Sequence, residues 1–286
     1  MTPGDIIQPL INGILMGSNF ILVALGLTVI FSIMNVLNFA HGEIYMLGAF
    51  CVYFLVGEFH VNYVLALFIA MIATGILGLI LERFLFRPAK GDILTGVIIA
   101  TGLIWLFQSI AQLIFGSQPS RIVPMVSGTW NIFNIYIPKD RVFAGILSLV
   151  LLVLVYYFIY RTKQGKAMQA VAQDREAAAL QGIDINRIGP LGFVIGCALA
   201  GAAGGIILPI LYADPYMGAS PLNNSLSIII LGGVGSIPGA ALGGLILGLV
   251  NSYGAQFFGY VSSIFPFLII IFVLLFKRNG LMGRKV

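Results

Sequence analysis

Three polar side chains, Asn38, His41 and Glu43, stand within a stretch that otherwise reads as membrane-embedded. Chemistry is available to them. A histidine titrates near neutral pH and can carry a proton, and the carboxylate two residues away can accept one. Work as a general base would also need a positioned nucleophile or metal, and no second His, Cys or acidic cluster lies in the apolar regions. A secondary transporter or channel using Glu43 or His41 is therefore the chemical alternative, and a membrane enzyme the weaker one. The other use of such residues is architectural. Gly42 lies between His41 and Glu43, where it can interrupt a helix, and such breaks survive at membrane depth only where protein or a water-filled cavity covers them. Discontinuous helices often line the route of a transported solute. Asn35, Asn38, His41, Gly42 and Glu43 are thus candidates either to line a substrate path or to hold a break together by hydrogen bonds.

The surroundings make these residues conspicuous. Between Asp5 and Glu82 the only formally charged side chains are Glu43 and Glu58, and an ionisable group within a span is costly unless it has a partner, water or a function. The whole chain of 286 residues is 59% hydrophobic and 9% charged, against about a quarter charged in an average soluble domain. That composition predicts a single polytopic membrane domain, all-α, over 1–286. The first residues lack the basic region of a signal peptide, so the first apolar segment is expected to remain as a span. The net charge of +5 comes from basic residues between apolar segments, which orient a membrane chain and do not imply nucleic acid. Cys51 and Cys197 read as two free thiols, with no His/Cys cluster to suggest a metal.

Eight apolar blocks are visible, at about 8–33, 43–57, 61–81, 93–115, 142–160, 189–212, 225–250 and 258–276. Roughly 20 residues are needed to span, so block two is short. Block seven is interrupted by Gly232, Gly233, Gly235, Pro238 and Gly239, a run no regular helix holds, since Gly costs about 1 and Pro about 3 kcal/mol relative to Ala. Basic residues mark 83–92 (Arg83, Arg87, Lys90), 161–188 and the C-terminal residues Lys277, Arg278, Arg284 and Lys285 as cytoplasmic. A single crossing by each of blocks seven and eight would put that C-terminal cluster outside. A broken or re-entrant element at 225–250 resolves the conflict, and block two is its expected counterpart in the first half. Gly192, Gly196, Ala200 and Gly204 recur every four residues, the spacing that lets helix backbones approach closely in lipid.

Residues 161–188 hold 8 of the 25 charged residues. Within them Asp174 can cap a short helix, Glu176 suits its first turn, and Ala177, Ala178 and Ala179 give it propensity. Gly182 can close it in the left-handed conformation. A helix this short is marginal alone. It is expected to pack on its own protein or to dock on a cytoplasmic partner through Asp174, Arg175, Glu176, Ala177, Ala178, Leu180 and Gly182.

Taken together, several strings resemble one family. Gly26-Leu27-Thr28-Val29-Ile30-Phe31, Asn38-Phe39-Ala40-His41-Gly42-Glu43, Met46-Leu47-Gly48-Ala49, the loop from Ala170 to Asp184, the glycine stretch 232–239 and the ending Gly280-Leu281-Met282-Gly283 resemble the permease subunits of branched-chain amino acid ABC importers, most of all the smaller of the paired permeases. The resemblance implies a subunit that forms half of a translocation path for branched-chain or related hydrophobic amino acids. It implies a second permease, two cytoplasmic ATPases docked on the 161–188 loop, an extracytoplasmic solute-binding protein, and a place among lipid in a bacterial or archaeal cytoplasmic membrane with the C-terminus inside. No cofactor is expected in this chain. It lacks a phosphate-binding loop, because Gly165-Lys166 has neither the earlier glycine nor the following hydroxyl, so ATP and Mg would be held by the partner ATPases.

Overall fold

Helix starts follow side-chain oxygens placed just ahead of the apolar runs. Asn62, Asp92 and Asp184 each accept a hydrogen bond from the backbone N–H two residues on, and Thr162 and Ser236 accept from the N–H three residues on. Each bond satisfies one of the orphan donors of a first turn. The computed structural model describes residues 3–89, 92–132, 135–277 and 279–283. Lys90, Arg278, Arg284 and Lys285 lie outside the described residues.

Among the described residues the apolar helices of the bundle are α1 (Pro3–Met34), α2 (His41–Gly57), α3 (Tyr63–Leu81), α4 (Ile93–Phe115), α5 (Lys139–Arg161), α8 (Ile185–Ile207), α9 (Ala219–Gly232), α10 (Ile237–Phe258) and α11 (Phe265–Phe276). Between α5 and α8 lie α6 (Lys163–Gln173) and α7 (Arg175–Leu180). A π-helical turn, Glu82–Phe86, extends α3, and a 3-10 turn, Gly259–Ile264, precedes α11. Six helices are long and apolar enough to cross a membrane. The loop after α4 carries one antiparallel hairpin, β1 (Thr129–Ile132) with β2 (Ile135–Pro138).

Contacts divide the molecule into two ends. At one, the Arg87 guanidinium donates to the Asn186 carbonyl at 2.9 Å and lies 3.7 Å from the buried Glu82 carboxylate. There too the N–H groups of Leu281 and Met282 donate to the carbonyls of Leu231 and Gly232, both at 2.9 Å. This basic end gathers the 161–188 loop and the chain beyond α11. At the far end, Ser252 donates to the Pro9 carbonyl at 2.7 Å and Tyr253 to that of Ile6 at 2.9 Å, while Ser120 and Ala213 bridge the two long loops.

Block seven corrects the expected boundaries. It begins at Ala219 rather than 225, and it is two helices, α9 of 14 residues and α10 of 22. Asn223, Asn224 and Ser225 lie inside α9. The break falls where the glycines and proline stand: Gly233 (φ +104°) and Gly235 (φ +80°) take conformations open to glycine, and Pro238 occupies the first turn of α10. The two helices run antiparallel, with Gly232 against Gly239 and the Ile228 carbonyl against Gly243. The broken element is thus a short helix folded back on a long one. It returns the chain to the far end before α11, so residues 279–283 lie at the basic end.

The pairing has an internal symmetry. The chain descends in α1, α3, α5, α9 and α11 and ascends in α2, α4, α8 and α10. Helix α1 packs on α10 as α8 packs on α3, α2 lies on α8 as α9 lies on α1, and α1 and α8 pack on each other. The set α8–α11 therefore repeats α1–α4 with inverted direction, and the short helices α2 and α9 are counterparts. Glycine makes the approach: Gly196 meets the Gly26 carbonyl, Gly204 that of Tyr45, Gly201 meets Thr74, and Gly248 meets Gly13 and Gly17. The expected small-residue stripe of α8 serves packing within the chain.

A β-carbon on Gly48 would strike the Gly201 backbone, whereas Gly102 has nothing within 4 Å. Gly48→Leu is expected to abolish membrane accumulation, since overpacking costs about 1–3 kcal/mol even where neighbours can yield. Gly102→Ala is expected to raise thermal stability in detergent by up to about 1 kcal/mol through helix propensity. Size-exclusion chromatography of detergent-solubilised membranes checks both.

Candidate functional site

Helix α1 ends at Met34 because Asn35 turns left-handed, with φ +54°, and its N–H closes on the Phe31 carbonyl at 2.8 Å. The chain then folds back along α1. The Asn38 carboxamide oxygen accepts from the Ala40 N–H at 3.1 Å, and the Asn38 carbonyl accepts from the His41 N–H at 3.1 Å. These bonds make the turn from which α2 starts. His41 is fully buried, and its Nε2 lies 3.1 Å from the Val23 carbonyl in α1. A carbonyl only accepts, so Nε2 carries the proton. Glu43 is buried in the first turn of α2, where a carboxylate suits the helix dipole, and its Oε1 accepts from Gln108 Nε2 at 3.0 Å.

Two helix N-termini meet at this break. Gly42 opens α2 and Gly218 precedes α9, and a β-carbon on either would run into the carbonyl of the other. His41 also sits against Gly26, whose own β-carbon would reach the ring at 3.0 Å. Asn38, His41, Gly42 and Glu43 thus share one buried junction. Three atoms of that junction, Asn38 Nδ2, His41 Nδ1 and Glu43 Oε2, have no hydrogen-bond partner among the described residues.

Asn35, Gly235 and Pro238 stand elsewhere. They line a cleft of about 840 Å³ at the basic end, together with Ser32, Gln169 and Ser236. Gly232 and Gly233 are packed against the residues after α11: a β-carbon on Gly233 would reach the Gly283 backbone, and one on Gly280 would reach the Gly233 backbone at 2.6 Å. Asn35, Gly235 and Pro238 thus lie apart from Asn38, His41, Gly42 and Glu43. The reason is geometric, since the break at 35–40 climbs back along α1 to the level of Val23, whereas the turn at 233–236 stays beside Ser32.

The loop at the basic end is two helices. Met168 and Val171 of α6 are buried, and the same helix presents Gln169 and Gln173 to the cleft. Helix α7 has ends of the expected kind. The Asp174 carboxylate accepts from the N–H groups of Glu176 and Ala177, both at 2.9 Å. At the other end Gly182 (φ +82°) donates to the Ala179 carbonyl and Ile183 to that of Ala178, the paired bonds of a Schellman motif. Ala178 is buried, while Leu180 is 88% exposed.

Gln108 and Gln112 were the polar residues that a reading of block four passes over. They lie four apart on one helix face. Gln108 holds Glu43, and Gln112 donates to the Tyr216 hydroxyl in the far-end loop. Two carboxamides at this interval in an apolar span were the available signal.

Over residues 10–274 the chain matches the family described as branched-chain amino acid transport system, permease component. It is 33% identical to the high-affinity branched-chain amino acid transport system permease protein BraD of Pseudomonas aeruginosa, across 97% of this chain and 96% of that one. It is 30% identical to the permease protein LivH of Escherichia coli K12, across 97% and 96%. With the permease protein LivM of the same organism it shares 26% identity across 92% of this chain and 67% of that one. No solved structure matches it. A full-length match, a bundle of apolar helices with inverted halves, and a capped helix pair at the basic end place this chain in the family of branched-chain amino acid transport system permease components.

Proposed function

We propose that this chain is one permease subunit of an ATP-driven importer of branched-chain or related hydrophobic amino acids. The observation that carries the reading is the family match over 265 residues, 10 to 274. Similarity to both LivH and LivM of one organism supports a pair of related but distinct permeases around one path. ATP and Mg belong to two cytoplasmic ATPases, and an extracytoplasmic binding protein delivers the solute. The basic end faces the cytoplasm, in keeping with the positive-inside rule.

Coupling runs through α6 and α7. Helix α7 offers an ATPase an exposed surface around Leu180 and Glu176, beside the half-buried Arg175, and α6 joins it directly to the wall of the basic-end cleft. A partner shifts a two-state path only by binding one state better than the other, and a rigid pair of capped helices is suited to pass that preference on. The junction of Asn38, His41 and Glu43 holds the break, with His41 on Val23 and Glu43 on Gln108.

Ala178→Pro breaks α7 at its buried residue and is expected to abolish uptake while the protein still reaches the membrane; normal uptake of radiolabelled leucine in whole cells would refute the docking role. Leu180→Asp leaves the fold intact and is expected to cut recovery of the ATPases at least fivefold when the permease is purified in mild detergent, read by mass spectrometry.

A further inference from the structure

The far-end half of the groove between α1, α5 and α10 has polar groups that the junction and the cleft do not use. Asn12, Met16 and Phe20 project from one face of α1, Asn251 and Gln256 from α10, and Arg141 from the first turn of α5, around a cavity of about 340 Å³. Among the described residues the side chains of Asn12, Asn251 and Gln256 make no hydrogen bond and Arg141 makes no ion pair. The neighbouring Asp140 carboxylate is taken by the Arg141 backbone N–H at 2.8 Å. Helices α1 and α10 are apolar spans, and a guanidinium and carboxamides do not face hydrocarbon unpaired. This face is therefore kept out of hydrocarbon.

The cleft at the basic end lies along the same three helices, with Ser32 on α1, Ile159 and Tyr160 on α5, and Ile237 and Pro238 on α10. Between the two cavities Phe20 and Leu152 close onto the second core cluster, formed by residues such as Ile21, Leu25 and Leu247. The order along the groove is thus polar mouth, apolar layer, polar cleft.

We propose that the far-end cavity is a receiving site for a small zwitterionic amino acid. Arg141 binds its carboxylate, Asn12 and Asn251 its remaining polar atoms, and Met16 and Phe20 its aliphatic side chain. The chemistry follows from the lining: a guanidinium presents paired donors that fit a carboxylate, carboxamide oxygens accept from an ammonium, and the remaining wall is apolar. The identity of the solute rests on the permease reading. The same cation could hold the phosphate of an anionic lipid, and the test separates the two.

The test uses the complete transporter, reconstituted in liposomes with saturating binding protein, and measures the maximal rate of ATP-driven L-leucine uptake. Arg141→Gln is expected to lower that rate about tenfold, the loss of one charge-assisted contact, with Arg141→Lys restoring part of it. Arg121→Gln, which removes a far-end cation stacked 5.7 Å from the Tyr212 ring outside the groove, is expected to leave it unchanged. Wild-type uptake with an equal rate in Arg141→Gln overturns the receiving site and leaves the permease reading standing. Loss of bound anionic lipid from Arg141→Gln by native mass spectrometry, at unchanged uptake, overturns it in favour of a lipid site. Absence of ATP-driven leucine uptake by the wild type overturns the permease reading, and this site with it. Should Arg141→Gln fail to accumulate, Asn251→Ala takes its place, with a several-fold loss expected and an unchanged rate overturning the site.

Discussion

A backbone amide without a partner in hydrocarbon costs several kcal/mol, so a chain that breaks a helix inside the membrane must cover the break with its own atoms. This chain does so at two places, 35–40 and 233–236. Both are closed by backbone pressed on backbone, Gly42 on Gly218 in one case and Gly232 and Gly233 on Gly239 and Gly283 in the other. Every later feature depends on that closeness. The short helices α2 and α9 start from the first contact, and the fold-back of α9 on α10 sets the direction of everything after it.

Hydrogen bonds finish what the glycines allow. The starts of α3, α4, α6, α8 and α10 carry side-chain caps, α7 carries both a cap and a Schellman end, and the buried histidine and glutamate each have one tie to a different helix. A hydrogen bond to a charged group contributes about 1.5–3 kcal/mol net, no more than the about 2.5–3.5 kcal/mol scale for an ionised carboxylate at a helix centre. One bond from Gln108 therefore offsets at most that cost, and burial of Glu43 adds a desolvation penalty of its own to the ionised form.

The span positions were legible because hydrophobicity is a bulk property: α4 falls at 93–115 as the apolar block does. The ends of α7 were legible because Asp174 and Gly182 act through local backbone bonds. The division of the polar residues into a buried junction and an open cleft was not. It depends on how far the chain climbs after Asn35, which the contact between His41 and Val23 decides across 18 residues. The start of α9 at Ala219 was also hidden, since Pro221 and two asparagines look like loop until the packing of Gly218 on Gly42 fixes them. Gln108 and Gln112 mark a polar face on α4 by their spacing, but that Glu43 is the partner of Gln108 depends on the fold.

The strap of residues 279–283 across the α9–α10 turn bears on how the chain is made. The carbonyls of Leu231 and Gly232 receive their donors from Leu281 and Met282, which leave the ribosome some 50 residues later. At about 5–20 residues per second, the end of α9 waits roughly 3–10 s with those acceptors unfilled. During that interval the turn, and the cleft wall that it forms, is held by its own bonds, from the Ser236 N–H to the Gly233 carbonyl and from the Gly239 N–H to the Ser236 hydroxyl, and by the packing of Gly232 on Gly239. The nascent bundle thus completes its basic end last.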